Sequence, residues 1–282
     1  MAGPDPAALQ AAARVRVTVI VGAGDTGKTT LAAQLASALA ARGARVAVVD
    51  ADVGQSEIGP PATVGLGAVS RRLGRLRDAD LIALEFIGDT SPVRRIGQTA
   101  DATGRLVRRA LAEGFAHVIV DTGGLVEGAL GLALKRAKLR AADPDLVIVV
   151  QRKDESEAVA RALEGGARPA ILRIAASPAA TKRTQTQRRA HRDRALEEYL
   201  KATVSISVPM ERVDVRAPRG APPLAIVEGL LVGVYGAEGE TLGVGRVHSV
   251  DTARNRVVID TPVAPERIAR VIAGRVVWPA ER

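Results

Sequence analysis

Residues Gly22 to Thr29 form a pattern that is typical of phosphate binding. Gly22, Gly27, Lys28 and Thr29 match the motif G-x-x-x-x-G-K-[ST]. Glycines let the backbone approach a ligand closely, so that successive N–H groups can point at phosphate oxygens. We expect Lys28 to contact the β- and γ-phosphates of a nucleoside triphosphate, and Thr29 to bind the Mg²⁺ ion that bridges them. The predicted nucleotide-binding residues are Gly22, Ala23, Gly24, Asp25, Thr26, Gly27, Lys28, Thr29 and Thr30.

Acidic residues follow two other apolar runs of the chain. Asp50 and Asp52 come after the run Arg45 to Val49, and Asp121 ends the run His117 to Val120. In open α/β sheets, ligands bind beyond the carboxyl ends of the strands. An Asp after an apolar strand holds Mg²⁺ in phosphoryl-transfer proteins, so we expect Asp121 to be a metal ligand. The pair Asp50 and Asp52 is either part of this site or two acidic caps on a turn.

The run from Thr181 to Ala195 is the most basic stretch of the chain. Arg188 and Arg192 are four residues apart and therefore share one face of a helix. Two interpretations are open: a solvated arginine-rich helix, or a lid at about residues 181–200. In a lid, the arginines close over the transferring phosphoryl group and stabilise its charge.

Strands that alternate with helical patterns must position these residues. A strand from Val15 to Val21 precedes the phosphate loop, and a helix from Leu31 to Ala41 follows it. This alternation predicts an α/β fold, a P-loop NTPase with a three-layer, mainly parallel sheet. Beyond residue 204, alternating apolar residues predict a small β-rich C-terminal domain that follows a proline-rich joint at Ala217 to Pro223. The predicted division is a flexible arm at 1–14, a P-loop domain with the lid at 15–203, and the C-terminal domain at 204–282.

Two further segments carry basic residues. Between Ile58 and Val69 we expect an irregular loop with one short strand. It leads to an arginine cluster that is either a solvated face or a phosphate-binding surface, formed by Arg71, Arg72, Arg75 and Arg77. An amphipathic helix is predicted from Glu127 to Ala142, with the basic residues Lys135, Arg136, Lys138 and Arg140.

Composition narrows the function classes. The formal charge is +9 and the pI is about 10.7, which favours an acidic partner, with nucleic acid ahead of a membrane because no long uncharged apolar run is present. The sequence has no cysteine, which excludes disulfides, thiolate metal sites and cysteine nucleophiles, and fits a cytoplasmic location. The three histidines are scattered, so a histidine-based metal site is not expected.

Four segments resemble the polynucleotide 5′-hydroxyl kinase family, which includes the kinase subunit of the pre-mRNA cleavage complex, the pre-rRNA processing kinase and archaeal RNA kinases. The loop G-A-G-D-T-G-K-T looks like the family's G-x-x-D-[ST]-G-K-[ST], and D-A-D-V-G-Q-S looks like its D-x-D-x-G-Q. The turn F-I-G-D-T-S-P resembles its aromatic-x-G-[HD]-T-S-P loop, and the basic run ending in E-E-Y-L resembles its lid helix. The match covers about residues 15 to 200.

The resemblance implies an ATP-dependent kinase that uses Mg²⁺ and phosphorylates the 5′-hydroxyl end of RNA or DNA. Asp52 would deprotonate the hydroxyl, while Asp50 and Gln55 would position water or metal. The segment Thr122-Gly123-Gly124 matches the family's T-x-G clasp over the substrate end, but Leu125 replaces the Trp often found next. The implied roles are catalytic for Lys28, Asp52, Arg183 and Arg188; metal-binding for Thr29, Asp50 and Asp121; and substrate-binding for Gln55, Thr90, Ser91, Thr122, Gly123, Gly124 and Arg192.

Three alternatives remain open from the sequence. The chain could hold ATP without turnover as a scaffold of an RNA-processing complex, as some relatives do. It could be a switch ATPase or GTPase, although the partitioning class of these proteins carries an early loop lysine where Ala23 and Gly24 stand. A small-molecule kinase also fits, because the chain offers few aromatic residues to read bases, namely two Phe, two Tyr and one Trp.

Overall fold

The computed structural model describes residues 3–215 and 225–279, and a sheet of 13 strands runs through them. The strands are β1 (Val17–Gly22), β2 (Val46–Ala51), β3 (Thr63–Val69), β4 (Asp80–Phe86), β5 (His117–Thr122), β6 (Leu146–Gln151), β7 (Ala170–Ala175), β8 (Val204–Pro209), β9 (Val213–Asp214), β10 (Leu230–Tyr235), β11 (Thr241–Asp251), β12 (Arg256–Thr261) and β13 (Arg270–Val277). The α-helices are α1 (Pro6–Ala12), α2 (Lys28–Ala40), α3 (Ile96–Ala112), α4 (Gly128–Ala142), α5 (Glu157–Arg161) and α6 (Gln185–Tyr199).

The first half of the sheet is parallel and covered on both faces. Strands β7, β6, β1, β5 and β2 are neighbours in that order and pair in parallel. All residues of β1 are buried, and their side chains alternate between two cores: Val19 and Val21 pack with α3 and α4, whereas Ile20 packs with α1 and α2. The predicted three-layer, mainly parallel α/β fold is therefore confirmed.

The register of the central strands brings their carboxyl ends together. Asp50 of β2 lies opposite Asp121 of β5, and Ala51 lies opposite Thr122. On the other side of β5, Asp121 pairs with Ile20, two residues before the end of β1. The loops after β1, β2 and β5 therefore leave the sheet at one place.

The second half of the sheet is mainly antiparallel. Strands β10 to β13 are antiparallel in the order β12, β11, β10, β13 and have a core of their own, and β8 pairs with β12. This half joins the first where Thr241 of β11 pairs with Leu84 of β4. The predicted β-rich C-terminal strands are present, while the boundary at residue 204 stays a prediction. The predicted joint at Ala217 to Pro223 lies outside the described residues.

Two segments differ from the predictions. Within the predicted flexible arm at 1–14, Pro6–Ala12 forms a helix whose Ala8 and Ala12 are fully buried against α2 and β6. Asp5 caps it by accepting a hydrogen bond from the Ala8 N–H at 2.9 Å. In the predicted irregular loop, β3 is a seven-residue strand antiparallel to β2, and Gly65 gives the Ile58 carbonyl room to lie against it. Among the described residues, no helix has the length and apolarity to cross a membrane.

Candidate active site

The glycine-rich loop leads from β1 into the N-terminus of α2. Gly27 adopts a left-handed conformation with φ of 93°, and it offers the helix no side-chain cap. The first N–H groups of α2 are therefore free to bind an anion, which the helix dipole also favours. The Gly22 backbone lies so close to the Val150 carbonyl that a Cβ would overlap with it. The buried hydroxyl of Thr26 donates to the Ala23 carbonyl at 3.0 Å and braces the turn.

Lys28 lies beneath this loop and is only 6% exposed. Its Nζ donates a hydrogen bond to the Ala23 carbonyl at 2.6 Å. Burial lowers the pKa of Lys28, while the nearby Asp121 and Asp52 carboxylates counteract that shift. The loop therefore holds the amino group of Lys28 in place, which fits the predicted contact of this residue with phosphates.

Thr29 and Asp121 form a pair that fits a magnesium ion. The Thr29 hydroxyl donates to Asp121 Oδ2 at 2.6 Å, while the buried Oδ1 of Asp121 has no hydrogen-bond partner among the described residues. Buried carboxylate oxygens rarely lack a partner, and Mg²⁺ takes such oxygen ligands. Burial raises the pKa of Asp121 to about 6, and a bound cation would hold the group ionised. Because the described residues contain no group of three His, Asp or Glu side chains suited to a metal, the other ligands would be phosphate oxygens and water.

Asp50 is buried and bonded to the backbone of the loop that follows it. Its Oδ1 accepts from the Asp52 N–H at 3.0 Å, and its Oδ2 accepts from the Glu57 and Ile58 N–H groups at 2.6 and 3.0 Å. Burial, together with the charge of Asp121, raises the pKa of Asp50 to about 8. These hydrogen bonds show that Asp50 stabilises the conformation of the loop. Its role at the metal stays a prediction.

Asp52 is half-buried and lines the main cleft. Its Oδ1 accepts from the Gly54 and Gln55 N–H groups at 3.0 and 3.1 Å, and within the described chain its Oδ2 has no hydrogen-bond partner. Gly123 lies against this carboxylate, because a Cβ there would be 3.1 Å from Asp52 Cγ. One oxygen of Asp52 is thus fixed by the loop and the other is available to a hydroxyl.

The main cleft, of about 1030 Å³, brings most of the predicted residues together. Its lining includes Ala23, Gly24, Asp25, Gly27, Lys28, Thr29, Thr30, Asp52, Gln55, Thr90, Thr122, Gly123, Gly124, Arg183, Arg188 and Arg192. The predicted residues that do not line it are Gly22, Thr26, Asp50, Ser91 and Asp121. Ser91 instead donates its backbone N–H to Asp89 Oδ1 at 2.8 Å, which leaves its predicted substrate contact without support from the geometry.

The predicted lid is the helix α6, and its N-terminal end rests on the phosphate loop. Arg188 donates to Asp25 Oδ2 at 2.7 Å, and the Arg183 backbone N–H donates to the same oxygen at 2.9 Å. Gln55 Nε2 donates to the Arg188 carbonyl at 3.2 Å, so the loop after β2 also contacts the lid. A lid arginine therefore stands directly above the loop that is expected to hold the phosphates.

The other end of the lid is bound to the antiparallel half of the sheet. The Tyr199 hydroxyl accepts from the Val244 N–H at 3.1 Å, and Trp278 Nε1 donates to Asp193 Oδ1 at 3.1 Å. Leu196 is buried between these contacts. The lid helix thus connects the phosphate loop with the C-terminal strands.

The basic cluster after β3 divides into two pairs. Arg75 and Arg77 line a second cleft, of about 920 Å³, beside the first, whereas Arg71 and Arg72 do not line it. The other basic residues of this second cleft are Lys182, Arg183, His191 and Arg194. Arg77 is paired with Glu57 at 2.8 Å. The cluster therefore meets the lid next to the main cleft.

Residues missed by the sequence analysis also contact the site. Arg152, the residue after β6, donates to the backbone carbonyls of Asp25 and, at 3.2 Å, Ala180. Lys135 and Lys138, predicted only as basic residues of an amphipathic helix, are buried under the loops after β2 and β5. Spacing could have revealed them, because they continue the buried face of α4 formed by Gly131, Leu134, Leu139 and Ala142.

Residues 22–202 match the family described as mRNA cleavage and polyadenylation factor CLP1 P-loop. The chain belongs to the CLP1 P-loop family. The match includes the phosphate loop, the Asp52 tract, the clasp and the lid. The predicted family is confirmed.

Polyribonucleotide 5′-hydroxyl-kinases from several organisms are similar to this chain. The polyribonucleotide 5′-hydroxyl-kinase of Pyrococcus furiosus is 28% identical over 312 residues, which cover 92% of this chain and 86% of that protein. The kinase of the same name from Thermococcus kodakarensis is 28% identical over 298 residues, which cover 87% of this chain and 83% of that protein. The polyribonucleotide 5′-hydroxyl-kinase Clp1 of Xenopus tropicalis is 30% identical over 195 residues, covering 64% and 43%.

A solved structure of a CLP1 protein has the same fold. Clp1p in its wild-type complex with Pcf11p (454–563) aligns with a TM-score of 0.73 at 16% identity, covering 93% of this chain and 74% of that one. The alignment extends over both halves of the sheet. It supports the α/β architecture with β-rich C-terminal strands.

Proposed function

We propose that this chain is an ATP-dependent polynucleotide kinase that transfers the γ-phosphate of ATP to a 5′-hydroxyl end, with RNA as the preferred acceptor. The observation that carries the proposal is that one cleft joins Lys28, the available oxygen of Asp52 and the lid arginine Arg188. The names of the relatives support the reaction and the RNA acceptor. The clasp residue Leu125 fits an acceptor end that is enclosed without aromatic stacking.

The donor side of the cleft is built for a triphosphate. The N–H groups of the loop and of the first turn of α2 converge on the position of the phosphates, and Lys28 adds a positive charge. Thr29 and Asp121 would hold Mg²⁺, which when bound neutralises charge on the phosphate oxygens.

The acceptor side is organised around Asp52. Its Oδ2 accepts the proton of the 5′-hydroxyl. The hydroxyl oxygen at the same time forms its bond to the γ-phosphorus, and the bond from that phosphorus to the leaving ADP oxygen breaks. The bonds from Gly54 and Gln55 keep the carboxylate in one orientation. Gly123 and Gly124 of the clasp border the same space.

The lid supplies charge to the transferred group. Arg188 is paired with Asp25 at the mouth of the phosphate loop. A phosphoryl group at the loop competes for this guanidinium, because phosphate and carboxylate both accept its paired N–H donors. Arg192 lines the acceptor side of the cleft and would contact the phosphates of the acceptor chain.

The proposal is tested by label transfer from [γ-³²P]ATP to an RNA oligonucleotide with a 5′-hydroxyl end. We expect transfer by the wild type and loss of transfer in K28A and D52N. The matched controls K201A and D101N change an exposed lysine and an exposed aspartate outside the cleft and should keep activity. A wild type that binds ATP stably without transferring it would contradict the proposal and favour a scaffold role; ATP hydrolysis that ignores the oligonucleotide would favour a switch ATPase.

A further inference from the structure

Two lysines of α4 are buried beneath the candidate active site. Lys135 is 0% exposed and Lys138 is 1% exposed. Lysine is almost never fully buried, because the loss of hydration is costly unless the ammonium group is well bonded. A helix that needed only an apolar face would carry Leu or Met at these positions. The cost therefore indicates that the two ammonium groups have a role.

The hydrogen bonds of the two lysines go to the ends of neighbouring strands. Lys135 Nζ donates to the Thr122 hydroxyl at 2.8 Å and to the Gly123 carbonyl. Lys138 Nζ donates to the Ala51 carbonyl at 2.5 Å. Ala51 and Thr122 are register partners at the last pair of β2 and β5. One helix thus holds the point where both strands enter their functional loops.

These two loops carry the groups that must meet at the acceptor. Ala51 immediately precedes Asp52, and Thr122 and Gly123 begin the clasp. Gly123 lies against the Asp52 carboxylate, with no room for a larger residue. A shift of the clasp backbone therefore displaces the carboxylate, and a shift of Ala51 moves the residue that carries it.

Ionisable groups of both signs lie together behind the cleft. Three carboxylates and three lysines meet behind the cleft: Asp50, Asp52 and Asp121 with Lys28, Lys135 and Lys138. Burial lowers the pKa of Lys135 well below its usual value and that of Lys138 to about 8, while Asp52 and Asp121 act in the opposite direction on both. The amines of Lys135 and Lys138 thus lie among these carboxylates while donating to the oxygens of the strand ends.

We infer that Lys135 and Lys138 are positioning residues that fix Asp52 and the Thr122–Gly124 clasp in one geometry for the acceptor hydroxyl. The expected loss of transfer rests on the proposed kinase function. The expected loosening of the two loops rests on the geometry alone. Neither lysine touches the phosphate loop through a hydrogen bond. The clasp residue Gly124 does lie against Gly24 of that loop. Loss of the lysines should therefore impair transfer far more than it weakens ATP binding.

The kinetic test compares K135M and K138M with R140M, which changes an exposed basic residue of the same helix. We expect the transfer rate at saturating substrates to fall about 100-fold in both lysine variants, because a displacement of about 1 Å has that effect on a positioned reaction. The affinity for a non-hydrolysable ATP analogue should fall by much less than the transfer rate. Transfer at the rate of R140M, or a loss of analogue binding that parallels the loss of transfer, would overturn the inference.

The structural test does not depend on turnover. Hydrogen exchange at residues 51–57 and 122–125 should become faster in K135M and K138M than in R140M, and the change there should exceed any change in the phosphate loop. Because the chain has no cysteine, K135C can also be converted selectively to a lysine analogue by aminoethylation, during refolding if needed. Restored protection and transfer after this treatment would support the inference. Exchange equal to that of R140M, or no rescue in refolded K135C, would overturn it, and an inactive wild type would count against the kinase function alone.

Discussion

Asp50 and Asp52 differ in role because they differ in burial. Both carboxylate oxygens of Asp50 accept hydrogen bonds from backbone N–H groups of the loop, whereas Oδ2 of Asp52 stays available at the cleft. The spacing of the tract predicted that two carboxylates stand at the site. It could not distinguish them, because the distinction depends on where the loop from 52 to 58 turns back.

Substitution should separate the two carboxylates. D50A leaves three buried N–H groups without an acceptor and should lower the free energy of unfolding by about 3 kcal/mol. D52N should abolish transfer with little change in stability, since its amide oxygen can still accept the two loop bonds. Urea unfolding followed by circular dichroism measures the free energy of unfolding of both variants, and the label-transfer assay measures their activity. Equal stability of D50A and D52N would show that Asp50 does not shape the loop.

The Thr29–Asp121 pair predicts a magnesium requirement. In D121N the oxygen that lacks a partner is weakened as a ligand, so the Mg²⁺ concentration for half-maximal transfer should rise about 10-fold. D143N, at an exposed position, is the control. Titration of activity with MgCl₂ at fixed ATP gives the answer. An unchanged Mg²⁺ requirement in D121N would remove this residue from the metal site.

At the scale of elements, the lid helix is fixed at both ends for different purposes. Arg188 meets the phosphate loop, and Tyr199 meets the C-terminal strands. R188A should lower kcat by about 1000-fold and raise KM much less, because the arginine acts on the transferring group. R254A, at an arginine remote from both clefts, is the control. A change confined to the KM for ATP would instead make Arg188 a ground-state binding residue.

The far end of the lid predicts a different effect. Y199F leaves the Val244 N–H without its acceptor and should lower the free energy of unfolding by about 1 kcal/mol. Because Tyr199 lies outside both clefts, transfer at saturating substrates should keep its rate. Thermal unfolding together with the transfer assay measures the two effects. A large loss of kcat in a stable Y199F would show that the far end sets the closure of the lid.

Local patterns predicted the strands and helices around the site because each has a strong period or cap. The phosphate loop, the lid and the apolar strands that end in Asp50 and Asp121 are of this kind. The burial of Lys135 and Lys138 was not predicted, although both continue the buried face of α4, because a lysine on a helix is almost always solvated. The α1 helix was missed because its stability comes from burying Ala8 and Ala12 on α2 and β6.

At the scale of the whole molecule, a chain of formal charge +9 places several of its basic residues in one cleft beside the main one. The second cleft adjoins the main one and contains three cationic side chains that form no ion pair within the described residues: Arg75, Lys182 and Arg194. Composition alone indicated an acidic partner but not its location. The location follows from the fold, which brings the loop after β3 against the lid.

Salt dependence tests this arrangement. The KM for an oligonucleotide acceptor should rise steeply with salt, because each phosphate contact releases bound counterions. In R75E/R194E the slope of log KM against log salt concentration should fall by about 1.4, the value for two contacts with a single strand. The KM for ATP should not follow this pattern. A shift of the ATP KM in the double variant would assign the second cleft to the nucleotide.

The central claim is that Asp52 faces a free 5′-hydroxyl across a bound phosphoryl donor. The most direct measurement is single-turnover transfer from [γ-³²P]ATP to one RNA sequence prepared with a 5′-hydroxyl or a 5′-phosphate end, by the wild type and by D52N. We expect rapid labelling of the hydroxyl form by the wild type only, with no labelling of the phosphate form. Labelling of the hydroxyl RNA by D52N at the wild-type rate, or none by either protein, would contradict the central claim.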